Sequence, residues 1–275
     1  MAHADSSAAD QAAGPHRLAI VTGASAGIGA AFAERLARDT YDLILVARRR
    51  DRLDELAEKL ARTHEVRVDV LAADLTTSDG LRKVEARIAA EPALELLVNN
   101  AGFGTNGAFA DLDRDGEEEE VRLNVLALLR LTHAAVGAMK ARGHGSVINV
   151  SSLASFQPAP FNATYGATKA FVNSFTQGVA EELRGTGVRL QLLCPGFTRT
   201  EFQEVAGVRT EDIPAFAWMS AEAVVDVSLD ALRKGDLVVI PGAGNKVMGA
   251  VMRAMPAAVA RRVGGAVLRR TLAAE

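Results

Sequence analysis

The chain has 275 residues, of which 49% are hydrophobic, so it is long and apolar enough for one large domain with a sizeable buried core. Its 31 Lys and Arg residues against 34 Asp and Glu residues give a formal net charge of −3, so the composition gives no indication of the basic surface typical of nucleic-acid binding. The single cysteine, Cys194, excludes an internal disulfide, and the five histidines show no spacing typical of a metal site.

Residues 1–16 are rich in Ala, Ser and Asp, and they lack the basic start and the apolar run of a secretory signal. We therefore interpret them as a flexible N-terminal tail. No stretch approaches the ~18 consecutive apolar residues that a membrane span needs. Because the lone cysteine also gives no reason to place the chain in an oxidising compartment, we expect a cytoplasmic protein.

Short apolar runs alternate with longer amphipathic stretches from residue 17 to residue 240. The apolar runs predict seven strands, at Arg17–Thr22, Asp42–Ala47, Val66–Ala73, Leu94–Asn99, Ser146–Val150, Arg189–Cys194 and Leu237–Ile240. The stretches between them predict six helices, at Ile28–Asp39, Arg52–Arg62, Ser78–Ala90, Glu117–Lys140, Ala163–Arg184 and Ala221–Lys234. This alternation predicts an α/β doubly wound (Rossmann) three-layer sandwich with a seven-stranded parallel sheet. Since no linker divides 17–240, we predict one domain there, with 241–275 packing on it as an extension.

The first predicted strand runs into a glycine-rich turn, TGASAGIG, that opens the first helix. Glycines let backbone N–H groups approach a pyrophosphate closely, and the helix N-terminus faces that anion with its partial positive charge. Such a turn can also serve only to pack a helix on a sheet, so the strand before it and the helix after it support the functional interpretation. The residues predicted to bind a dinucleotide here are Gly23, Ser25, Ala26, Gly27, Ile28 and Gly29.

The end of the second predicted strand indicates which dinucleotide is bound. Folds that prefer NAD place an acid there for the ribose hydroxyls, whereas this chain has Ala47 followed by three arginines. The guanidinium of Arg48, with Arg49 as a second candidate, can fork onto a 2′-phosphate, which favours NADP(H) over NAD(H). Asp74 and Leu75 follow the third strand and are predicted to reach the adenine.

Three further residues form a predicted catalytic group. Tyr165 and Lys169 are four apart in a predicted helix and share one face, while Ser152 follows the fifth strand, where such folds keep their crevice. Tyrosine has an ordinary pKa of about 10, and a cationic lysine nearby, together with the positive charge of the nicotinamide, is expected to lower it. Tyr165 can then exchange a proton with a carbonyl or alcohol oxygen that Ser152 hydrogen-bonds. Each residue alone has an ordinary structural explanation, but the three together with the glycine turn point to an oxidoreductase.

On these motifs the chain resembles the short-chain dehydrogenase/reductase family from Arg17 to about Ile240. The glycine turn matches TGxxxGxG, residues 99–102 match NNAG, residues 165–169 match YxxxK with Ser152 13 residues earlier, and the PGFTRT segment matches PGxxxT. The resemblance implies that Asn124 completes the catalytic set and links the lysine to solvent through a water. It also implies that the cofactor is bound by Asn100, Ala101, Gly102, Tyr165, Lys169, Pro195, Gly196, Thr198 and Thr200.

The predicted function is NADP(H)-dependent hydride transfer between the nicotinamide and a hydrophobic ketone, aldehyde or secondary alcohol, with Tyr165 as general acid/base. The apolar segment 201–219 is the predicted substrate lid, although its residues can equally serve only to pack that lid. Its candidates are Phe202, Val205, Val208, Ile213, Phe216, Trp218 and Met219. One departure weakens the NADP(H) pattern, because many NADP-preferring relatives carry a basic residue where this chain has Ala26.

Three alternatives remain open at this stage. A sugar-nucleotide epimerase or dehydratase shares the cofactor fold, but it usually has a longer substrate domain. An NADPH-binding regulatory or scaffolding module without turnover would not need the proton donor Tyr165. Membrane contact is suggested by Lys246–Arg270, which has six basic residues and no acid. Pro256 and the Gly264–Gly265 pair interrupt that stretch, which favours a cap over the active site instead.

Two other segments carry expectations. The helices Glu117–Lys140 and Ala163–Arg184 are long and rich in small and apolar residues. The family commonly pairs these helices between subunits, so the resemblance implies a homodimer or homotetramer. The acidic run Asp111–Glu120 precedes the first of them, and we interpret it as a solvated helix start rather than a metal site.

Overall fold

The computed structural model describes residues 17–202, 206, 215–262 and 265. Seven of their strands form one parallel sheet in the order β3-β2-β1-β4-β5-β6-β7, which confirms the predicted architecture. Because the order turns back between β1 and β4, a crevice opens at the carboxyl ends of these two strands. The strands are β1 (Leu18–Thr22), β2 (Asp42–Ala47), β3 (Val68–Ala72), β4 (Leu94–Asn99), β5 (Gly145–Val150), β6 (Val188–Leu193) and β7 (Val238–Val239).

Helices cover both faces of this sheet, so all residues of β1 and β2 are buried, as their continuous apolar sequences require. Several helices begin at a side chain that accepts a backbone N–H: Thr77, Asp113 and Ser220 do so for the helices that start at Ser78, Arg114 and Ala221. The helices are α1 (Gly27–Arg38), α2 (Arg50–His64), α3 (Ser78–Ala89), α4 (Arg114–Val121), α5 (Leu128–Arg142), α6 (Ala163–Glu182), α7 (Ala221–Lys234) and α8 (Ala243–Ala254).

The predicted helix Glu117–Lys140 differs from the structure in two ways. It starts three residues earlier, at Arg114, because the carboxylate of Asp113 accepts the N–H of Gly116 at 2.9 Å. A π-helical segment, Arg122–Ala127, also joins α4 to α5. π-Helical turns often occur at functional sites, and this one carries Asn124.

The prediction that the acidic run is a solvated helix start is wrong for two of its residues. Glu117 and Glu120 lie three apart on one face of α4, and that face is buried. Glu118 and Glu119 are exposed, as expected. The composition of the run gave no indication of which face would pack against the domain.

By length and composition alone, Arg114–Arg142 is apolar enough to cross a membrane. Within the domain, however, α5 packs against the sheet through Leu131, Ala135 and Met139, all of which are buried in one hydrophobic core. The core helix of a globular domain satisfies the same length and composition criteria, so this finding adds no argument for a membrane span.

The described part of the C-terminal extension packs against the segment that follows β5. Helix α8 contacts the short 3₁₀ turn Leu153–Phe156, and the guanidinium of Arg253 lies 4.3 Å from the centroid of the Phe156 ring. The side-chain amide of Gln157 donates to the carbonyl of Met255 at 2.9 Å. Residues 1–16, together with the predicted extension residues Val263, Val267, Arg269 and Arg270, lie outside the described residues.

Candidate active site

The turn between β1 and α1 has no room for a side chain at its glycine positions. A Cβ on Gly29 would lie 2.2 Å from the carbonyl oxygen of Gly23, and one on Gly23 would lie 2.7 Å from Nδ2 of Asn100. Gly23 also has a φ of +66°, a left-handed conformation that favours glycine. The N-cap residue of α1 is Ala26, whose side chain caps nothing, so the first N–H groups of the helix are available to an anion. The turn therefore fits a phosphate group.

The NNAG segment after β4 fixes the shape of this turn. The hydroxyl oxygen of Thr22 accepts the N–H groups of Asn100 and Ala101 at 3.0 and 3.1 Å. The side-chain amide of Asn100 donates back to the carbonyl of Thr22 at 3.0 Å. These hydrogen bonds join two segments that are far apart in sequence. The predicted residues Asn100, Ala101 and Gly102 therefore lie at the same crevice as the turn.

The two arginines predicted to bind a 2′-phosphate, Arg48 and Arg49, have different surroundings after β2. Arg49 lies against the glycine turn, with its Nη2 3.0 Å from the hydroxyl of Ser25. Its Nη1 pairs with Glu201 at 3.0 Å, and Arg52 pairs with the same carboxylate at 2.6 Å. Arg48 is exposed beside it. Arg49 is therefore held between the glycine turn and Glu201, and both predicted phosphate ligands lie at the end of β2.

At the end of β3, the two residues predicted to reach the adenine lie in different environments. Oδ1 of Asp74 accepts both the N–H and the hydroxyl of Thr76, at 2.9 and 2.8 Å, which fixes the carboxylate beside the crevice. The side chain of Leu75 is buried in the core below, so only its backbone is available to a ligand.

The four predicted catalytic residues converge at the carboxyl ends of β4 and β5. Lys169 is 5% exposed, its Nζ donates to the carbonyl of Val150 at 3.0 Å, and this nitrogen lies 5.6 Å from the centroid of the Tyr165 ring. Ser152, just after β5, lies close enough for its hydroxyl to lower the pKa of Tyr165. Asn124 is held in the π-helical segment, where its Nδ2 donates to the carbonyl of Phe103 at 2.8 Å.

Gly102 of the NNAG segment allows this convergence. A Cβ at this position would lie 2.8 Å from Oδ1 of Asn124 and 3.4 Å from Nζ of Lys169. Any side chain would therefore push the asparagine and the lysine apart. Glycine at position 102 therefore lets the backbone of the NNAG segment pass close to Asn124 and Lys169.

Burial dominates the electrostatics of this group. It raises the pKa of Tyr165 to about 12, although the hydrogen bond with Ser152 lowers it. Burial also lowers the pKa of Lys169 to about 8, while the carboxylate of Glu120 raises it. The pKa of Tyr165 thus lies above its ordinary value in the chain alone, because burial disfavours the phenolate and the charge of Glu120 adds to this effect. The expected lowering by Lys169 together with the charge of the nicotinamide stays a prediction.

A buried polar network, missed in the sequence, holds α6 against the sheet. The side-chain amide of Asn99 donates to Asn149 at 2.9 Å, and the amide of Asn149 donates to the hydroxyl of Thr176 at 3.0 Å. The hydroxyl of Ser151 donates to Asn173 at 2.8 Å. Polar residues within apolar strands were the available signal. The network positions α6 and, through it, Tyr165 and Lys169.

The PGxxxT segment after β6 closes the other side of the crevice. The carbonyl of Pro195 accepts the N–H of Leu153 at 3.0 Å, and the hydroxyl of the buried Thr198 donates to the carbonyl of Gly196 at 3.1 Å. A Cβ on Gly27 would lie 3.0 Å from Cβ of Thr200, so this segment packs directly against the glycine turn. The predicted cofactor residues of the two motifs are therefore neighbours.

Two aromatic pairs include residues of the predicted lid, and one of them contains Tyr165. The ring of Phe202 is 5.5 Å from that of Tyr165, between centroids, and Phe197 and Trp218 form a second pair at 5.6 Å. Phe109 is exposed and belongs to neither pair. Of the predicted lid, Val205, Val208, Ile213 and the side chain of Phe216 lie outside the described residues.

Comparison with known proteins decides the family, because residues 17–210 match the sequence profile described as short chain dehydrogenase. The chain belongs to the short-chain dehydrogenase family. A 7beta-hydroxysteroid dehydrogenase from Mediterraneibacter gnavus is 32% identical over 231 residues, which cover 82% of this chain and 86% of that protein. The predicted family is confirmed, and with it the assignment of this short-chain dehydrogenase as an oxidoreductase.

Solved structures of other short-chain dehydrogenases agree with this fold over nearly the whole chain. A short-chain dehydrogenase from Sphingobium yanoikuyae in complex with NADPH has 36% identity and a TM-score of 0.79, covering 94% of this chain and 96% of that chain. The bulky-bulky ketone specific alcohol dehydrogenase from Comamonas testosteroni has 34% identity and a TM-score of 0.76, covering 95% of each chain. The family uses a nicotinamide cofactor, which the glycine turn and the NNAG segment fit.

Proposed function

We propose that this short-chain dehydrogenase is an NADP(H)-dependent oxidoreductase that interconverts hydrophobic ketones or aldehydes and secondary alcohols, with Tyr165 as general acid/base. The observation that carries the proposal is the convergence of Ser152, Tyr165 and Lys169 beside a turn that fits a dinucleotide phosphate. A module that only bound the cofactor would not need a tyrosine hydroxyl placed beside a serine hydroxyl and a buried lysine.

The nicotinamide, when bound, supplies or accepts the hydride. In the reducing direction, the hydroxyl of Tyr165 gives its proton to the carbonyl oxygen, and the hydroxyl of Ser152 donates a hydrogen bond to that same oxygen. Lys169, anchored on the carbonyl of Val150, favours the resulting phenolate when it is cationic. In oxidation the same groups act in reverse, with Tyr165 accepting the proton of the alcohol.

The proposed substrate class rests on the aromatic side of the site. Phe202 lies beside Tyr165, so a substrate oxygen at the tyrosine hydroxyl brings its carbon substituents against an aromatic surface. The relatives from C. testosteroni and M. gnavus, whose names specify a bulky-bulky ketone and a hydroxysteroid, support a large apolar substrate. A panel of ketones graded by size, followed by NADPH absorbance, tests this proposal. We expect the highest kcat/KM for bulky apolar ketones, and a preference for small hydrophilic ones would contradict the proposal.

We expect the enzyme to bind NADPH more tightly than NADH. Replacing Arg48 and Arg49 together by Ala should weaken NADPH binding by about 10- to 100-fold, since a hydrogen bond to a charged group contributes about 1.5–3 kcal/mol. NADH binding should change little, because NADH lacks the 2′-phosphate. Fluorescence titration with each cofactor measures both constants.

Arg50→Ala is the matched control for this experiment, because the guanidinium of Arg50 pairs with Asp54 at 3.3 Å on the exposed side of α2. It should leave both affinities unchanged. Equal affinity of the unmodified enzyme for NADPH and NADH would contradict the proposed cofactor.

We also propose that the protein is a homodimer or homotetramer assembled through the α4–α5 and α6 helices. An apolar groove between them is lined by Val121, Val125, Ala163, Thr164, Ala167 and Thr168. Val121 and Leu126 are each 43% exposed beside it. Leu126→Glu should place a charge in the proposed interface and produce monomers in light scattering at micromolar concentration. Val247→Glu, which changes an exposed apolar residue of α8, is the control and should leave the oligomer intact. A monomeric unmodified protein would refute the proposal.

A further inference from the structure

Two acidic residues of α4 are buried beside the active site, and the mechanism above does not use them. Glu120 is 0% exposed and Glu117 is 8% exposed. Oε1 of Glu120 lies 3.5 Å from Nδ2 of Asn124, and its Oε2 accepts the N–H of Thr105 at 3.0 Å. Buried carboxyl groups are costly unless they are paired or neutral. The two glutamates therefore call for a physical explanation.

The hydroxyl of Thr105 shows how the two carboxyl groups are held. Its Oγ1 is within hydrogen-bond distance of Oε1 of Glu117 and lies 2.9 Å from Oε2 of Glu120. A hydroxyl has one hydrogen and can donate to only one of them. The other hydrogen bond therefore requires that a carboxylic acid O–H donate to the threonine oxygen. This geometry is satisfied when the two glutamates carry one proton between them.

Hydrogen bonds from α6 and from the residue before it hold Glu117 and Thr105 in place. The hydroxyl of Thr164, on α6, donates to Oε2 of Glu117. The side-chain amide of Asn162 donates to the carbonyl of Thr105 and holds that residue in place. The titratable groups that face Glu120 are Glu117 on its own helix and the pair Tyr165 and Lys169 on α6. Lys169 is the cation among them.

The pKa of Glu120 lies within a working pH range. The pKa of Glu120 is raised to about 7, mainly by burial and to a smaller extent by the charge of Glu117, while the hydrogen bonds from Thr105 and the charge of Lys169 oppose this rise. In return, ionised Glu120 raises the pKa of Lys169 against the effect of burial. Glu120 and Lys169 therefore titrate as a coupled pair.

We propose that Glu117 and Glu120 share one proton through Thr105, and that loss of this proton keeps Lys169 cationic beside Tyr165. Glu120 is then a positioning residue that acts through the lysine and touches neither substrate nor cofactor. The effect of this proton loss on turnover rests on the proposed function, in which cationic Lys169 favours the Tyr165 phenolate. The sharing of the proton itself does not depend on that function.

Infrared difference spectroscopy of the NADPH-bound enzyme tests the shared proton directly, since a protonated carboxylic acid has its own carbonyl stretch. We expect this band to disappear with a midpoint near neutral pH in the unmodified protein and to be absent in Glu120→Gln. Glu117→Gln should move the midpoint to lower pH, because it removes a neighbouring negative charge and leaves the Thr105 hydroxyl free to donate to Glu120. Thr105→Val should move it to higher pH, because it removes a hydrogen bond to the carboxylate.

Turnover supplies the second measurement. Activity should fall at high pH as Lys169 loses its proton, and Glu120→Gln should move this alkaline limb to lower pH by about one pH unit, the lower end of the range expected for loss of a close opposite charge. Glu119→Gln, on the exposed face of α4, is the matched control and should move neither the limb nor the infrared band.

The outcomes separate this inference from the proposed function. An infrared band that is absent in the unmodified protein, or that is unchanged in Glu120→Gln, overturns the shared proton whatever the activity. An alkaline limb that stays in place in Glu120→Gln overturns the coupling to Lys169. If the infrared midpoints shift as expected while Tyr165→Phe remains active, the shared proton stands and the proposed function fails. If Glu120→Gln does not fold, the opposite shifts in Glu117→Gln and Thr105→Val still decide the question.

Discussion

Tyr165→Phe is expected to bind NADPH with unchanged affinity and to lose turnover by about 10²- to 10⁴-fold, the usual contribution of a general acid. The substitution removes only the phenolic oxygen, so the aromatic contact with Phe202 remains. The measurement is kcat with a ketone substrate, together with a fluorescence titration of NADPH. The chain has a second tyrosine, which makes the comparison well controlled.

Tyr41→Phe is that control. Tyr41 packs at the edge of the core with the guanidinium of Arg17 4.3 Å from its ring centroid, far from the crevice, and its replacement should leave kcat unchanged. Lys169→Ala, by contrast, should weaken both turnover and cofactor binding, because the lysine is proposed to act on both. Substantial activity in Tyr165→Phe would mean that another group supplies the proton.

Gly29→Ala is expected to abolish useful cofactor binding and to lower stability. The added Cβ would lie 2.2 Å from the carbonyl oxygen of Gly23 and 2.6 Å from Nδ2 of Asn100, so the turn and the NNAG segment must separate. Overpacking of this kind costs about 1–3 kcal/mol. For a chain of this length, this corresponds to a fall in Tm of several degrees, of the order of 2–4 °C per kcal/mol. Thermal unfolding with and without NADPH measures both effects.

The control for this substitution is Gly137→Ala. Gly137 lies in α5, and a Cβ there would meet no atom of the described residues within 4 Å. Replacing a glycine inside a helix by alanine stabilises it by about 0.5–1 kcal/mol, so a small rise in Tm is expected. A Gly29→Ala protein that kept both the Tm and the NADPH affinity of the unmodified enzyme would show that the turn is looser than described.

The fold was predictable because its signals are periodic and local. Apolar runs such as Leu43–Val46 predict fully buried strands, and their alternation with amphipathic helices predicts a parallel sheet. The order of the motifs along the chain then places Ser152, Tyr165 and Lys169 at one edge. The bounds of single elements were less accurate, since the predicted strand Leu237–Ile240 is reduced to Val238–Val239.

The features that were missed depend on contacts between distant segments. Whether Arg48 or Arg49 lies against Ser25 depends on the position of Glu201, which is about 150 residues away. The burial of Glu117 and Glu120 depends on how α4 packs against α6, and the raised pKa of Tyr165 depends on how much water reaches it. Composition and spacing carry none of this information. The flexible tail at 1–16, the domain bounds and the cytoplasmic location stay predictions.

The hydrogen bonds between the glycine turn and the NNAG segment have a consequence for synthesis on the ribosome. Thr22 is held by Asn100 and Ala101, and β1 pairs with β4 as well as with β2, so the turn gains its final shape only after about a hundred residues have been made. At translation rates of about 5–20 residues per second, several seconds separate the synthesis of the glycine turn from that of the NNAG segment that holds it. An N-terminal fragment that ends before β4 should therefore be unable to retain cofactor, even though it contains the whole glycine motif.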